Sequence, residues 1–148
     1  MSFKVPVSYI DIRVLAHATE DVSKVIDAVR HILPSELDEK IIFKRTVLKG
    51  HYGNSITVVE ARIRKRDDVR IILEELASRL NALDKEHLGT TIKRHLDKRD
   101  LFIRLDKQSA YLNKLELRSD DPIRFQIHFR VSGLDEIMDI CRKYGMLL

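Results

Sequence analysis

The stretch Ile123-Arg124-Phe125-Gln126-Ile127-His128-Phe129-Arg130-Val131 decides the fold class. Apolar and polar residues alternate along it, the two-residue period of a strand buried on one face and open on the other. The open side, Arg124, Gln126, His128 and Arg130, is basic. The turn Ser119-Asp120-Asp121-Pro122 leads in. Beyond the strand, Ser132 is placed to cap a final helix, with Asp135 three residues on as in a capping box and Leu134, Ile137, Met138, Cys141 and Tyr144 at helical spacing.

Working back toward the N terminus, Leu101 to Leu105 and Lys114 to Arg118 are strand candidates. Between them Asp106-Lys107-Gln108-Ser109-Ala110-Tyr111-Leu112 has neither period. A short helix is expected around Thr91 to Asp97. Before it, a helix capped by Asp67 or Asp68 carries Val69, Ile72, Leu73, Leu76, Leu80 and Leu83 on one stripe, and the pattern blurs between Asp84 and Gly89. A third strand turns Thr57, Val59, Ala61 and Ile63 inward and Val58, Glu60, Arg62 and Arg64 outward. The loop Gly50-His51-Tyr52-Gly53-Asn54 joins it to a second strand over Ile41 to Lys49, whose buried face the pattern leaves open. Ser35 to Lys40 reads as loop. The first strand runs from Tyr9 to Ala18, with Ile10, Ile12, Val14, Ala16 and Ala18 on one side. Thr19 is the expected cap of a first helix bearing Val22, Val25, Ile26, Val29, Ile32 and Leu33 up to Pro34.

The resulting order, β-α-β-β-α-β-β-β-α, predicts an α+β fold: a single mostly antiparallel sheet with helices packed on one face, leaving the other face free to meet a partner. No repeat, linker or low-complexity tract divides residues 1–148, which read as one domain.

Composition narrows the setting. One cysteine, Cys141, excludes an internal disulfide and suits a reducing compartment, and no apolar run is long enough to span a bilayer, so a cytoplasmic protein without a membrane partner is expected. Asp, Glu, Lys and Arg make up 34% of the chain, a charge density found in heat-adapted proteins. The net charge of +4 is too modest to name a partner by itself, but the charge is segregated. From Lys40 to Arg66 eight Lys or Arg residues stand against one acid, Glu60, whereas residues 1–39 carry four against seven.

Lys44, Lys49, Arg62 and Arg64 are therefore candidates for a stripe that follows a phosphate backbone, with His51 and Tyr52 in the adjoining loop as stacking partners for bases. The bland alternative is a solvated sheet face with ion pairs to Glu60 and Asp67. In the irregular segment Lys107 is a candidate for a phosphate and Gln108 for a base edge or 2′-hydroxyl. Against that stands a bulge in which Asp106 and Gln108 satisfy backbone groups while Ala110 and Tyr111 pack inward. The cluster Lys93, Arg94, His95, Lys98 and Arg99 reads as an exposed helix end. Catalysis draws little support: His17 and His128, both on outward faces, are the one pair that a metal-free ribonuclease would use. No metal-ligand spacing, phosphate-cradling glycine loop or cofactor motif occurs, so no cofactor is expected.

Three segments carry a family resemblance: Ala16-His17-Ala18-Thr19-Glu20-Asp21, Gly50-His51-Tyr52-Gly53-Asn54 leading into Val59-Glu60-Ala61-Arg62, and Leu105-Asp106-Lys107-Gln108-Ser109-Ala110-Tyr111-Leu112. In this order, between about Tyr9 and Val131, they resemble an archaeal family of RNA-binding proteins and predicted exosome subunits. Its members are similar in fold to the ribosomal protein that binds 5S RNA. The resemblance implies a non-enzymatic role in archaeal RNA processing or ribosome-linked metabolism. It adds Asn54 and Tyr111 to the RNA-binding candidates. Asn113 stands where relatives often have glycine, and asparagine also accepts positive φ. The competing expectation is a protein-interaction module that docks onto an RNA-processing or ribosomal assembly, and a homodimer is compatible with either reading.

Overall fold

The computed structural model describes residues 6–50 and 54–148. Its centre is a six-stranded sheet of order β2-β3-β1-β6-β5-β4, antiparallel at every pairing. The strands are β1 (Val7–Ala16), β2 (Lys44–Lys49), β3 (Ser55–Ile63), β4 (Leu96–Asp97), β5 (Asp100–Leu105) and β6 (Ile123–Phe129). The helices are α1 (Val22–Ile32), α2 (Arg66–Arg79), α3 (Ala82–Thr90), α4 (Ile92–His95), α5 (Lys107–Tyr111) and α6 (Leu134–Tyr144), with a 3-10 turn at Ser35–Leu37.

Alternation decides which side of each strand is covered. Ile10, Ile12, Val14 and Ala16 of β1, Val59, Ala61 and Ile63 of β3, Leu101, Ile103 and Leu105 of β5, and Ile123, Phe125, Ile127 and Phe129 of β6 all point into one core. The helices close it with Val25, Val29 and Ile32, with Val69, Ile72, Leu73 and Leu76, and with Ile137 and Cys141. Burial of Phe125 and Phe129, both at most 1% exposed, anchors β6 at the middle of this layer. The expected α+β fold and its single sheet are present. No helix is long and apolar enough to cross a membrane.

Several boundaries differ from the sequence reading, each for a local reason. Asp21, not Thr19, caps α1 by accepting from the Ser23 amide, so β1 ends at Ala16 and residues 17–20 form a turn. The α2 helix begins at Arg66 without a side-chain cap, and Asp67 and Asp68 lie in its first turn, where the helix dipole favours them. It stops at Leu80, and Asn81 starts α3 by accepting from the Asp84 amide. Leu83 is thereby turned out to 75% exposure, off the stripe assigned to it. Gly133, without a side-chain hydrogen bond, stands at the start of α6 in place of Ser132, and Gly145 ends that helix at φ 86°, a conformation glycine adopts without strain.

Lys114 to Arg118 is not a strand: it makes one isolated bridge, Leu117 to Leu105, and the outer position in the sheet goes to the two-residue β4. The irregular segment between Asp106 and Leu112 is α5. Asp106 caps it, its carboxylate accepting from the Ser109 amide and hydroxyl, and buried Ala110 faces the core. The β2 strand is shorter than expected and exposed at all six residues. Ile41 is buried while Ile42 is not.

Candidate nucleic-acid interface

The sheet register builds two adjacent layers on the uncovered face. In the first, Asp11 of β1 lies opposite Arg62 of β3, and Arg62 donates to both carboxylate oxygens at 2.6 and 2.7 Å. The guanidinium also lies 4.2 Å from the centre of the Tyr9 ring, and Tyr9 stacks on His128 across the β1-β6 pairing, with centroids 4.6 Å apart. His128 Nδ1 is in turn 2.7 Å from Asp100 of β5. This layer is internally satisfied. The Asp11 hydrogen bonds are the leading influence on Arg62 and raise its pKa above the ordinary value.

The second layer is not. One register step along, Lys44, Glu60, Arg13, Arg124 and Arg104 stand side by side across β2, β3, β1, β6 and β5. Three arginines occupy three neighbouring strands, although like charges directly opposite one another destabilise a sheet. Among the described residues none of the three is in ion-pair contact with a carboxylate, although Glu60 stands directly opposite Arg13, and Arg124 Nε is buried without a hydrogen bond. Burial, with Arg13 and Arg104 on either side, lowers the pKa of Arg124 from its ordinary value, outweighing the opposite pull of Asp11 and Glu60. Phe102, diagonal to Arg124, has the Arg104 and Arg124 guanidiniums 5.3 and 5.2 Å from its ring centre, and this ring quadrupole steadies both cations. Shallow hollows of about 250 and 400 Å³ flank Arg13 and Arg124 on the two sides of the row. Apolar contact continues beside it, where Val58 packs opposite Leu15 and is buried despite pointing to the open face.

The candidates named from sequence are thus distributed unevenly. Lys44 belongs to the row and Arg64 follows the end of β3, exposed, on the same face by alternation. Arg62 is occupied by Asp11 and Tyr9, which removes it from the set of free cations. Lys49 pairs with Ser55, an odd number of residues from Lys44, so its side chain projects to the opposite side of the sheet. Asn54 is exposed and its carbonyl accepts from the Gly50 amide at the base of the hairpin, while His51 and Tyr52 lie outside the described residues.

Lys107, Gln108 and Tyr111 sit with α5 in the helix layer, against α1, and not on the row. Gln108 is exposed there, and Tyr111 tilts against His31, its carbonyl 2.9 Å from the imidazole. The ammonium of Lys107 points inward, with the side chain 12% exposed, and donates to the Leu15 carbonyl at 2.7 Å, to Glu20 at 3.0 Å and to Asp121 at 2.9 Å. It is therefore turned away from any phosphate. His17 completes this junction at 3.0 Å from Asp121. The atoms of His17, Glu20 and Asp121 lie close enough together to hold a metal ion, but Lys107 already supplies their cation. Burial raises the Glu20 and Asp121 carboxyls, and hydrogen bonds, chiefly from the His17 amide to Glu20 and from Lys107 to Asp121, outweigh it and bring both below the ordinary range.

His17 and His128 do not meet. One lies just past the end of β1 and the other pairs with Tyr9 near its start, on the order of 25 Å apart at a strand rise of about 3.3 Å per residue. The ribonuclease pair expected from outward strand faces therefore has no shared site.

Arg13, Arg104 and Arg124 are the residues that sequence reading passed over. Alternation already placed Arg13 and Arg124 on outward faces. What was missing was the strand order that makes β1, β6 and β5 neighbours.

A family model described as RNA binding matches residues 9–129. An RNA-binding protein of Pyrococcus abyssi is 34% identical over 133 residues, 88% of this chain and 84% of that protein. An uncharacterized protein of Methanocaldococcus jannaschii is 27% identical over 126 residues, 82% and 84% of the two chains. Among solved structures, a protein from Archaeoglobus fulgidus superposes with a TM-score of 0.79 at 25% identity, covering 93% of this chain and 99% of that one. A DUF54 protein from Methanothermobacter thermautotrophicus gives 0.73 at 25% identity, covering 96% and 98%.

Proposed function

The chain belongs to the RNA-binding family, and from that premise we propose that it binds RNA, without catalysing a reaction on it, through the uncovered face of its sheet. The observation that carries the proposal is the row of Arg13, Arg124 and Arg104, extended by Lys44. Three adjacent guanidiniums, offset only in part by Glu60 opposite Arg13 and by Asp11, leave an excess of positive charge that polyanionic phosphate neutralises. Four strand spacings of about 4.8 Å give the row a length of roughly 19 Å, enough for several consecutive phosphates at the ~3.4 Å rise of a duplex strand. Arg64 extends the positive surface along β3. Tyr52 and His51, which lie outside the described residues, and Asn54 are kept in the proposal as base contacts, as are Gln108 and Tyr111 for a second segment of RNA reaching the α1-α5 side.

The wider role follows the family resemblance: archaeal RNA processing or ribosome-linked metabolism, in association with an exosome-like assembly, on a sheet-and-helix scaffold similar to that of the 5S-RNA-binding ribosomal protein. Residues 1–148 act in this reading as one domain. The test is titration of labelled structured and single-stranded RNA at two salt concentrations with the parent protein and with Arg13→Gln plus Arg124→Gln. Loss of salt-sensitive binding in the variant supports the row, and unchanged binding removes it.

One observation favours a second reading, in which the chain docks onto a protein of such an assembly or onto a second copy of itself. The outer strand β2 has an unpaired edge, and Ile42, Val47 and Leu48 are 84%, 64% and 51% exposed around it. Partners that stay bound after ribonuclease digestion and are lost on Val47→Lys identify docking. Partners released by digestion identify RNA.

A further inference from the structure

Beyond the row lies a cavity of about 580 Å³ between α3, α4 and β5, walled by Arg94, Arg104 and Arg118, by His87 and His95, and by Phe102. The sequence presents Arg94 and His95 as part of an exposed helix end; Arg94 is exposed and His95 half-buried, and both line this recess. Its one acid, Asp84, is engaged: Oδ2 accepts from the Leu117 amide at 3.3 Å and from Asn81 at 3.4 Å. Arg118 Nε lies 3.6 Å from Asp106, whose other oxygen is held by Ser109. His95 Nε2 is 3.0 Å from the Thr91 hydroxyl, leaving Nδ1 without a partner among the described residues. Burial, then Arg104, His87 and Arg94, lower the pKa of His95, so the side chains that line the cavity also set up a positive field inside it.

We propose that this cavity binds a phosphate monoester, carried either by the end of an RNA strand or by a free nucleotide. For the first source the proposal rests on the RNA-binding reading and deepens it. Guanidiniums arriving from three separate segments, α4, β5 and the stretch after α5, match the several oxygens of a terminal phosphate, and a dianion suits the site better than the single charge of a diester. The volume exceeds what a phosphate alone fills and lies within the range of about 300–1,000 Å³ usual for small-molecule sites, leaving room for the attached nucleoside. Arg104 belongs both to the row and to the cavity, so an RNA strand held along the row ends here. Phe102, facing Arg104 and Arg124, fixes that joint.

The experiment compares one oligoribonucleotide with 5′-phosphate, 3′-phosphate or hydroxyl ends, alongside adenosine 5′-monophosphate, adenosine and inorganic phosphate. Affinity is read by anisotropy, and the His95 ring by NMR titration. Expected are binding roughly tenfold tighter for one phosphorylated end, in line with loss of a charge-assisted contact, and a rise in the His95 pKa with adenosine 5′-monophosphate but not with adenosine. The preference disappears in Arg94→Gln plus Arg118→Gln, which still binds hydroxyl-ended RNA, whereas Arg13→Gln weakens all three RNAs alike. Equal affinity for all ends together with an unmoved His95, or a preference that survives the paired variant, overturns the cavity proposal while RNA binding stands. A His95 response to the nucleotide in a protein that binds no RNA overturns the RNA reading and leaves the cavity as a nucleotide site.

Discussion

Replacing Arg13 and Arg124 together by glutamine gives different expectations for affinity, which falls, and for stability, which changes little. With four cations in the row, the logarithm of affinity for single-stranded RNA falls with the logarithm of salt at a slope of about −2.8, taking roughly −0.7 per neutralised phosphate. Between 50 and 200 mM salt the parent protein then loses about 50-fold in affinity, and the variant, with two contacts left, loses about 7-fold. The folded protein changes little in stability. Relief of the cross-strand repulsion of Arg13 and Arg104 with Arg124 is offset by loss of the Arg13 pairing opposite Glu60 and of Arg124 over the Phe102 ring, each on the order of 0.2–1 kcal/mol. Fluorescence anisotropy over a salt series measures the slope, and thermal unfolding measures the stability. A slope that stays at the parental value refutes phosphate contact by the row. A variant that unfolds several degrees below the parent refutes this balance of repulsive and attractive contacts around Arg13 and Arg124.

Arg62→Ala is expected to do the reverse, leaving the salt slope intact and lowering Tm by roughly 2–4 °C for a loss of about 1 kcal/mol, because its partners Asp11 and Tyr9 are within the protein. A double-mutant cycle with Asp11→Asn checks the assignment. Glu20 and Asp121 hold pKa values below the ordinary carboxylate range of about 3.9–4.3, so their contribution to stability is complete above that range and is lost as pH falls through the lower folded values. Unfolding midpoints measured from pH 6 to pH 2 should show this acid-side loss, and Lys107→Met should diminish it while lowering stability at neutral pH. Burial pushes the Cys141 thiol up to about 12, so a disulfide reagent at pH 8 should label it only on unfolding, and rapid labelling of the native protein contradicts its place on the buried face of α6.

How much of this was open to a reader of the sequence depends on the range of the interaction concerned. Strands with strict alternation, β1, β3 and β6, and helices with a deep apolar stripe, α1 and α6, announce themselves through neighbours two to four residues apart. The α3 helix does not, because of its residues only Leu88 is buried and no stripe exists to detect. Lys114 to Arg118 has strand-like alternation, but the pairing needed to make it a strand amounts to one bridge. The candidate site suffers most from this limit. Whether an outward arginine is free or neutralised turns on cross-strand register, which brings Asp11 to Arg62 over 51 residues of chain and Arg124 between Arg13 and Arg104. Nothing local distinguishes those two fates. The run around Lys107 drew notice for a sound reason, an interruption with unusual side chains, but the interruption is a capped helical turn with an inward lysine.

That inward lysine gives the junction of β1, α5 and the turn before β6 an unusual independence from the surrounding solution. A protein that clamps such a corner with calcium or zinc must recruit the ion, and loses it to a chelator or on dilution. Here the counter-ion is tethered to its own backbone, so the corner is complete as soon as the chain has folded and stays so whatever the supply of free metal.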